Sequence, residues 1–503
     1  MRKLLLFFIL IFSFNIITYA EVEVSERILV GLKYGSSAVS SQSITSDSSG
    51  FIIRSQGTES KPVANLNKKS VTVSPLTNNG IDPYIIIEQS GFPSYDDAVS
   101  YCDLGNNEAV PYYLNGVFYA IRCNLYTYSD ALIELEKAKQ KNITSYIMNP
   151  TTMRVKITDS SGNIILVFSE DNGEILGLCA KDDGTVSLGN SSTHRDIIEF
   201  LRNGNSLSII ANLTMQHYLY SVVAAEIGAS APIEAQKAQA VCARTYAQKN
   251  MKKHSSYGFD ICATVHCQVY NGTKWERDLT IKAVDETKNK VATYNGKLIE
   301  AVYFSHSGGR TANVKDVWGS DFPYLSSVED EYCTDSSWEY EIDYDKLTTK
   351  LSKYSLGTIT DFQITETSPT GTVTKVTVTG TNGSKTLTRE NIRIALGLNS
   401  QNFTQSSGEL TKYAKTSSGD KNVNIKSILT KDGIKSAGNT VSIKDGNNNI
   451  STITALGGNV LHGKGIGHLV GFSQHGAMGY ANAGWDYEKI LKHYYQGIEI
   501  SGI

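Results

Sequence analysis

The sequence predicts an α+β protein of several domains, with a helical core, β-rich subdomains and a small α+β module. Three observations predict this class. At 503 residues, the chain is too long for one ordinary domain, and about three folded units are expected. Apolar residues recur at helical spacing over about 215–250, which predicts two consecutive helices. Short apolar runs between turn signals, as at 143–213, predict β-rich parts.

The first twenty residues indicate export. Arg2 and Lys3 precede an apolar run from Leu4 to Ile17, and Ala20 is a small residue where a signal peptidase would cleave. We therefore predict a signal peptide over 1–20, which is either cleaved or retained as an anchor. No other run approaches the roughly 20 apolar residues of a membrane span.

The net charge and the cysteine content indicate which partners and which disulfides to expect. The net charge of −3 and the pI of about 6.3 argue against nucleic acid as a partner. An exported chain with seven cysteines could form disulfides. Cys102 and Cys123 lie in one segment and could pair, although an odd total leaves at least one cysteine over.

The chain divides into segments of different composition. Over 21–81 we predict one strand at Arg27–Lys33 and then a polar linker with turns and short strands. A small α+β module follows over 82–141. The remainder, 142–503, forms the main domain. Within it, 340–405 is predicted as an α+β insertion, and 406–450 as a variable polar excursion. The predicted elements of the 82–141 module are a strand at Tyr84–Gln89, a helix at Tyr95–Cys102, a strand at Val117–Arg122 and a helix at Ser129–Lys139.

Glu226 is the strongest candidate for a catalytic residue. It falls at helical spacing with Leu219 and Val222, so the carboxylate lies on the apolar stripe of a helix that breaks at Gly228. Burial and the negative end of the helix dipole both favour the protonated form of a carboxyl group. A general acid needs that form. The alternative is a structural ion pair with Arg244 on the next helix.

A second cluster combines two thiols and two imidazoles, the ligand types of a tetrahedral zinc site. The proposed ligands are His254, Cys262, His266 and Cys267. Four protein ligands leave no open position for water, so this zinc would be structural and no cofactor is expected for catalysis. The alternative is a disulfide between Cys262 and Cys267 beside two unrelated histidines.

The sequence Ser-His-Ser-Gly-Gly at 305–309 follows a predicted strand. Glycine lets the backbone approach a ligand closely, because it has no Cβ. Ser305 or Ser307 could be a nucleophile with His306, but adjacent side chains on a strand point to opposite faces. That geometry disfavours a serine hydrolase.

The segment from Leu461 to Ala477 is dense in glycine. Its Gly-x-Gly-x-Gly run could pass for a phosphate-binding loop. We reject that interpretation, because no crossover helix, second strand and acidic residue follow. The only element predicted beyond it is a short helix at Tyr487–Tyr495.

These motifs together resemble the SpoIID family, which comprises stage II sporulation protein D and related amidase enhancers. The stretch around Glu226, the segment 305–309 and the glycine-dense segment are similar to three family signatures, in order, over about 195–500. The resemblance implies a lytic transglycosylase of peptidoglycan with one catalytic glutamate, Glu226. Some relatives also have the cysteine and histidine pattern with a zinc ion. The expected substrate contacts are Arg244, Tyr303, Ser305, Ser307, Gly308, Gly309, His468, Ser473 and Gln474.

The 82–141 module resembles a SPOR-type domain, which implies binding to glycan strands stripped of their peptides; the alternative is an α+β unit with no ligand. The implied partners are peptidoglycan and a cell-wall amidase, and the implied location is the cell wall or the extracytoplasmic surface. His475 stands where relatives commonly have tyrosine.

Two other functions compete with the transglycosylase. A non-catalytic cell-wall protein that recruits or stimulates an amidase would have no reason to keep Glu226 in this setting. A zinc peptidase or zinc amidase lacks support, because the chain has no His-Glu-x-x-His spacing. No second carboxylate stands in a setting comparable with that of Glu226; the candidates considered are Glu234, Asp260, Asp316 and Asp321.

Overall fold

The computed structural model of the protein describes residues 24–57, 60–104, 108–406, 411–416, 419–424, 427–430, 433–436, 440–444, 450–454 and 460–502. The predicted signal peptide lies outside these residues. Helices and sheets occur together throughout the described chain, which confirms the predicted α+β class. No helix of the described ranges is long and apolar enough to cross a membrane.

The chain up to Thr214 consists mainly of strands. They are β1 (Arg27–Lys33), β2 (Gln42–Ser46), β3 (Phe51–Gln56), β4 (Ser60–Leu66), β5 (Ser70–Pro75), β6 (Tyr84–Phe92), β7 (Val110–Leu114), β8 (Val117–Leu125), β9 (Tyr146–Met148), β10 (Arg154–Thr158), β11 (Ile164–Ser169), β12 (Ile175–Ala180), β13 (Val186–Leu188), β14 (Ser192–His194), β15 (Ile197–Asn203) and β16 (Ser206–Thr214). Two helices lie among them, α1 (Tyr95–Leu104) and α2 (Tyr128–Gln140).

The stretch predicted as a polar linker therefore forms part of the folded protein. Five strands, β1 to β5, lie within 21–81. In β2 (Gln42–Ser46), buried and exposed residues alternate even though four of the five are polar. This alternation is the period of a strand with one buried face. The prediction missed it because it relied on apolar side chains to mark the buried positions.

The helical core follows β16. Its helices are α3 (Met215–Ile227), α4 (Ile233–Lys249), α5 (Asp278–Glu286) and α6 (Val314–Val317), and its strands are β17 (Ile261–Cys262), β18 (Lys290–Tyr294), β19 (Lys297–Leu298) and β20 (Tyr303–Phe304). The two helices predicted around Glu226 are thus present as α3 and α4. Thr214 caps α3 by accepting a hydrogen bond from the backbone N–H of His217, 3.2 Å away. Gly228 ends it with a φ of 88°.

The remaining elements form the insertion, the excursion and the C-terminal part of the core. They are β21 (Ser337–Glu341), α7 (Tyr344–Lys350), β22 (Ile359–Thr367), β23 (Val373–Gly380), β24 (Gly383–Thr388), α8 (Glu390–Leu396), β25 (Phe403–Ser406), β26 (Thr411–Thr416), β27 (Gly419–Asn424), β28 (Ser427–Thr430), β29 (Gly433–Ser436), β30 (Thr440–Lys444), β31 (Ile450–Thr454), β32 (Val460–Lys464), β33 (Phe472–Ser473), α9 (Gln474–Asn482), α10 (Tyr487–Tyr494) and β34 (Glu499–Gly502). Where the structure describes the excursion, it forms three antiparallel strand pairs, β26–β27, β28–β29 and β30–β31.

Two large sheets underlie the helical core. A seven-stranded sheet has the order β17-β1-β16-β15-β12-β3-β4, and a ten-stranded sheet has the order β14-β13-β2-β5-β10-β11-β7-β8-β6-β9. Residues of both sheets and of α3 and α4 belong to one continuous apolar core. The insertion has an apolar core of its own, around Phe362 and Val376. The Glu226 helix therefore stands on a rigid base.

The 82–141 module has the element order β-α-β-β-α, one strand more than predicted, and its three strands lie side by side in the ten-stranded sheet, next to β9 at the edge. All seven cysteines are free, so Cys102 and Cys123, whose pairing the sequence left open, form no disulfide in this structure. Cys102 lies on α1, whereas Cys123 packs with Ile85 and Ile121 in a separate apolar cluster.

Candidate functional site

Glu226 lies at the wall of a cavity of about 530 Å³. The cavity is also lined by both later motifs, because β20 pairs in parallel with β33, matching Tyr303 with Phe472. Among the described residues that line it, Glu226 is the only carboxylate. The three signatures therefore meet at one place, with a single acidic group among them.

The carboxylate of Glu226 is half-buried and receives three hydrogen bonds. The backbone N–H of Val269 donates to its Oε1 over 2.9 Å, and the side chains of Tyr303 and Gln474 also contact it. Burial raises the pKa of Glu226, and these three donors partly offset the rise. A raised pKa keeps part of the population protonated where an exposed carboxyl would be fully ionised.

The hydroxyl of Tyr303 is oriented by a buried amide. Gln268 is fully buried; its Oε1 accepts from the hydroxyl of Tyr218 at 2.9 Å, and its Nε2 donates to the hydroxyl oxygen of Tyr303 at 3.1 Å. Because Tyr303 accepts from Gln268, its own hydrogen is free to point to Glu226. The prediction missed Gln268 as a site residue, and its position directly after Cys267 was the only local signal.

The ion pair between Glu226 and Arg244, the alternative to a catalytic role for this carboxylate, does not form. Arg244 is buried on α4, where its guanidinium donates to the carbonyl oxygens of Lys290 (3.0 Å) and Val284 (3.4 Å). It lines a different cavity, near Gln216 and Asp285. Arg244 thus ties α4 to its neighbours and lies away from the site.

The predicted substrate contacts separate into two groups. Tyr303, Ser305, His468 and Gln474 line the cavity beside Glu226. Ser307 and Ser473 are fully buried and outside its lining. Ser473 caps α9 by accepting from the N–H of Gly476 over 3.2 Å, and Ser307 donates to the carbonyl of Cys333 over 3.4 Å. Ser307 and Ser473 therefore stabilise the loops that carry the residues lining the cavity.

Gly308 and Gly309 also act through the backbone. Gly308 has a φ of 70°, and a Cβ there would lie 2.6 Å from the backbone nitrogen of Gly465. Only glycine fits this close approach of the two signature loops. Gly309 has a φ of 106° and is less crowded.

His468 is neutral and links these two loops through hydrogen bonds. Its Nε2 lies 2.9 Å from the carbonyl oxygen of Tyr303, and its Nδ1 accepts from the N–H of Val470 over 3.1 Å. Burial lowers the pKa of His468 to about 4. Both ring nitrogens are engaged within the protein, so His468 holds Tyr303 in place and does not serve as a second acid or base.

His306 contacts neither neighbouring serine through a side-chain hydrogen bond. Its Nδ1 lies 3.1 Å from Sγ of Cys333, and its Nε2 lies 3.0 Å from Oδ1 of Asp335. This arrangement agrees with the rejection of a serine hydrolase. The ring of His475 lies 5.0 Å from that of His306, outside the cavity lining.

None of the other candidate carboxylates lines the cavity. Glu234 pairs with Lys237 at 2.8 Å and accepts from the backbone N–H of Tyr487. Asp260 accepts from the backbone N–H of Leu29 at 2.9 Å. Asp316 and Asp321 do not line the cavity.

The structure brings together the four residues proposed as zinc ligands. Their donor atoms lie within 4.8 Å of one another, and the residues are His254, Cys262, His266 and Cys267. Sγ of Cys267 lies 3.4 Å from Nε2 of His254 and 3.5 Å from Nδ1 of His266. Ligands around a tetrahedral zinc stand roughly 3.6 Å apart for a sulfur and a nitrogen. A turn closed by the N–H of Cys267 on the carbonyl of Thr264 places adjacent His266 and Cys267 on one centre. The free thiols exclude the alternative disulfide in this structure.

The cysteine and histidine cluster adjoins the carboxylate. His266 and Cys267 line the same cavity as Glu226. The two residues after Cys267 are Gln268, which orients Tyr303, and Val269, which donates to Glu226. Any group that fixes this loop therefore also fixes two of the contacts around the acid.

The chain is similar in sequence to several known proteins. The family described as "SpoIID: Stage II sporulation protein" matches residues 203–294. Stage II sporulation protein D of Bacillus subtilis is 30% identical over 312 residues, which cover 58% of this chain and 76% of that protein. An uncharacterised protein of Brachyspira hyodysenteriae is 29% identical over 304 residues, covering 60% of this chain and 70% of the relative.

A third relative is longer than the region it shares with this chain. The amidase enhancer of Bacillus subtilis is 31% identical over 294 residues, which cover 56% of this chain and 40% of the enhancer. The match to the stage II sporulation protein extends over three quarters of that relative. The chain belongs to the SpoIID family.

Proposed function

We propose that this protein is a lytic transglycosylase that cleaves the bond between MurNAc and GlcNAc in peptidoglycan strands free of peptides. The observation that carries the proposal is the half-buried carboxylate of Glu226, whose pKa is raised by burial and which is the single carboxylate among the described residues that line its cavity. Hydrolytic glycosidases generally need two carboxylates. A reaction in which one group gives and then retakes a proton needs only one.

In the first step, protonated Glu226 donates its proton to the glycosidic oxygen, and the bond from that oxygen to C1 of MurNAc breaks. In the second step, the C6 hydroxyl of MurNAc attacks C1 and returns its proton to the carboxylate. The product is a 1,6-anhydro sugar, and no water is consumed. The hydrogen bonds from Val269, Tyr303 and Gln474 stabilise the carboxylate between the two steps.

The proposed location is the cell wall outside the cytoplasmic membrane, as the sporulation relatives suggest. The 82–141 module is proposed to bind glycan strands as well. In support of this role, the ring of Tyr146 is half exposed on β9, the edge strand next to β6 of the module, and lies close to Tyr119 and Tyr112. Tyrosine rings suit sugar faces, because they offer a flat apolar surface with a polar edge.

A structural zinc is proposed for the cysteine and histidine cluster. The residues that would hold it are His254, Cys262, His266 and Cys267. When bound, the ion would supply a rigid cross-link with no open coordination position. The proton transfers are assigned to Glu226 alone.

A second candidate function is the recruitment or stimulation of an amidase without glycan cleavage. The name of the amidase enhancer relative favours it. Under this hypothesis the cavity would bind glycan strands and position them for a partner, and the raised pKa of Glu226 would have no chemical use.

Mass spectrometry of products distinguishes these functions. Peptide-free glycan strands are incubated with the mature protein, and the new chain ends are identified. Ends of 1,6-anhydro-MurNAc are expected. Reducing MurNAc ends would mean hydrolysis and would require a second carboxylate. No cleavage by correctly folded protein would favour the recruitment function.

Replacing Tyr303 with phenylalanine should change the pH dependence of the reaction. The hydroxyl stabilises the ionised carboxylate, so its loss should raise the pKa of Glu226 further. The protonated acid then persists to higher pH, and the alkaline limb of kcat/KM should move upward. The rate should also fall about 10-fold or more, because buried Gln268 loses a hydrogen-bond partner.

A pH profile of kcat/KM for both proteins measures this shift. Tyr294→Phe is the control, since that tyrosine packs against Tyr324 and does not line the cavity. An unchanged profile for Tyr303→Phe would show that its hydroxyl does not act on the acid.

A further inference from the structure

A guanidinium from the insertion reaches the cavity of the catalytic carboxylate. Arg393, on α8, lines the cavity together with Glu226, Trp318 and His468. Among the described lining residues it is the only arginine, and there is no lysine. The helix comes from the 340–405 segment, which was not predicted to contribute to the site.

Contacts between neighbouring side chains hold Arg393 in place. Its Nη2 donates to Oε1 of Glu390 over 2.7 Å, and the indole N–H of Trp318 donates to Oε2 of the same carboxylate. The ring of Trp318 lies 5.0 Å from that of His468, and His468 is hydrogen-bonded to the carbonyl of Tyr303. The guanidinium is thus connected, contact by contact, to the residue that orients the acid.

Most of the hydrogen-bonding capacity of Arg393 is unused. A guanidinium carries five N–H groups in a planar fork, and one of them has an acceptor on Glu390. Its Nε is buried with no hydrogen-bond partner among the described residues. The side chain as a whole is 27% exposed. A planar two-oxygen acceptor entering the cavity would satisfy this fork, and a carboxylate has that geometry.

We infer that Arg393 binds the lactyl carboxylate of MurNAc and so makes the site selective for strands without peptides. The inference rests on the proposed function. In a strand that still carries peptides, the lactyl group ends in a neutral amide; after the peptide is removed, it ends in a carboxylate. The rings otherwise carry neutral hydroxyl and acetamide groups, so this carboxylate is the anion that a peptide-free strand offers.

The test compares two substrates that differ in one group. One is a peptide-free glycan strand; the other is the same strand with its lactyl carboxylates converted to N-methylamides. The wild-type protein should cleave the carboxylate strand with a kcat/KM about 10- to 100-fold higher, the range for a hydrogen bond to a charged group. Arg393→Gln should lose this preference, so that the two strands are cleaved with similar kcat/KM.

Two further variants separate the effects of charge and geometry at residue 393 from a general loss of folding. Arg393→Lys keeps the charge but loses the fork, and should recover only part of the preference. Lys385→Gln removes a positive charge from β24 of the same insertion, outside the cavity lining, and should keep the full preference. Thermal unfolding of each variant checks the fold.

A binding measurement keeps the inference separate from the proposed function. Calorimetry with the Glu226→Gln protein gives the dissociation constant for each strand without cleavage, and with Arg393→Gln added it shows whether the carboxylate contributes. Equal affinity and equal kcat/KM for the two strands would overturn the role of Arg393. A carboxylate preference in binding without cleavage by the wild-type protein would support Arg393 and refute the transglycosylase.

Discussion

Replacing Glu226 with glutamine should abolish formation of anhydro ends while the fold remains intact. General acid or base catalysis typically contributes about 10²- to 10⁴-fold, and Glu226 is proposed to act in both directions. We therefore expect a loss of roughly 10³-fold or more. Glutamine keeps the size of the side chain and can still accept from the N–H of Val269. The rate of anhydro-MurNAc formation and the thermal unfolding midpoint measure the two effects.

Glu234→Gln is the matched control. Glu234 begins α4, one helix beyond Glu226, and its partners are Lys237 and the backbone of Tyr487. This variant should retain activity near the wild-type level. An active Glu226→Gln protein would refute the single-carboxylate mechanism and direct attention to a second acid.

Removal of the proposed zinc should have the largest effect on stability. A ligand that binds only the folded state stabilises it by about 4 kcal/mol when its free concentration is about 1,000 times its dissociation constant. At about 2–4 °C per kcal/mol, a chelator should lower the unfolding midpoint by roughly 10 °C. Activity should fall in parallel, because the residues after Cys267 hold Tyr303 and Glu226.

Variants identify the source of this effect. Cys262→Ala should lose bound zinc, measured by native mass spectrometry, and its unfolding midpoint should no longer respond to the chelator. Cys179→Ala, at a half-buried thiol on β12, should retain both the metal and the response. Wild-type protein that contains no metal and is indifferent to chelation would contradict the zinc assignment.

The helices around the site could be predicted because their sequences carry a clear period. The apolar spacing of α3 places Glu226 against the core, and Gly228 ends the helix where the break was expected. The cysteine and histidine cluster could also be predicted, because all its members lie within one short segment. Local sequence determines both features.

Other parts of the site depend on contacts between distant segments. Arg393 is about 170 residues from Glu226 along the chain, and only the folded insertion brings α8 to the cavity. Gln268 acquires its role because Tyr218 and Tyr303 lie on either side of it. Arg244 shows the converse: its helical position suggested a partner for Glu226, but the carbonyls of Val284 and Lys290 lie closer to its guanidinium.

The polar strands β2 to β5 show why composition misled the fold prediction. Serine and threonine suit the exposed face of a sheet, because their hydroxyl groups pair with each other across neighbouring strands. Ser43 and Thr72 do so at 2.8 Å between β2 and β5. A linker and such a strand have similar composition, and only pairing with a partner strand distinguishes them.

The pairing of β5 with β10 has a practical consequence for dissecting the molecule. Pro75 and Val155 are direct partners across these antiparallel strands, and the whole 82–141 module lies between them in sequence. Its two points of attachment are therefore adjacent in space. Removal of the module would nevertheless uncover β11, which pairs with β7, and would take Tyr113 and Phe118 out of the main apolar core. Truncation from the front would remove β1, which lies between β16 and β17 in the sheet. The module is thus part of the folded unit, and substitutions on its exposed surface are the way to test its role.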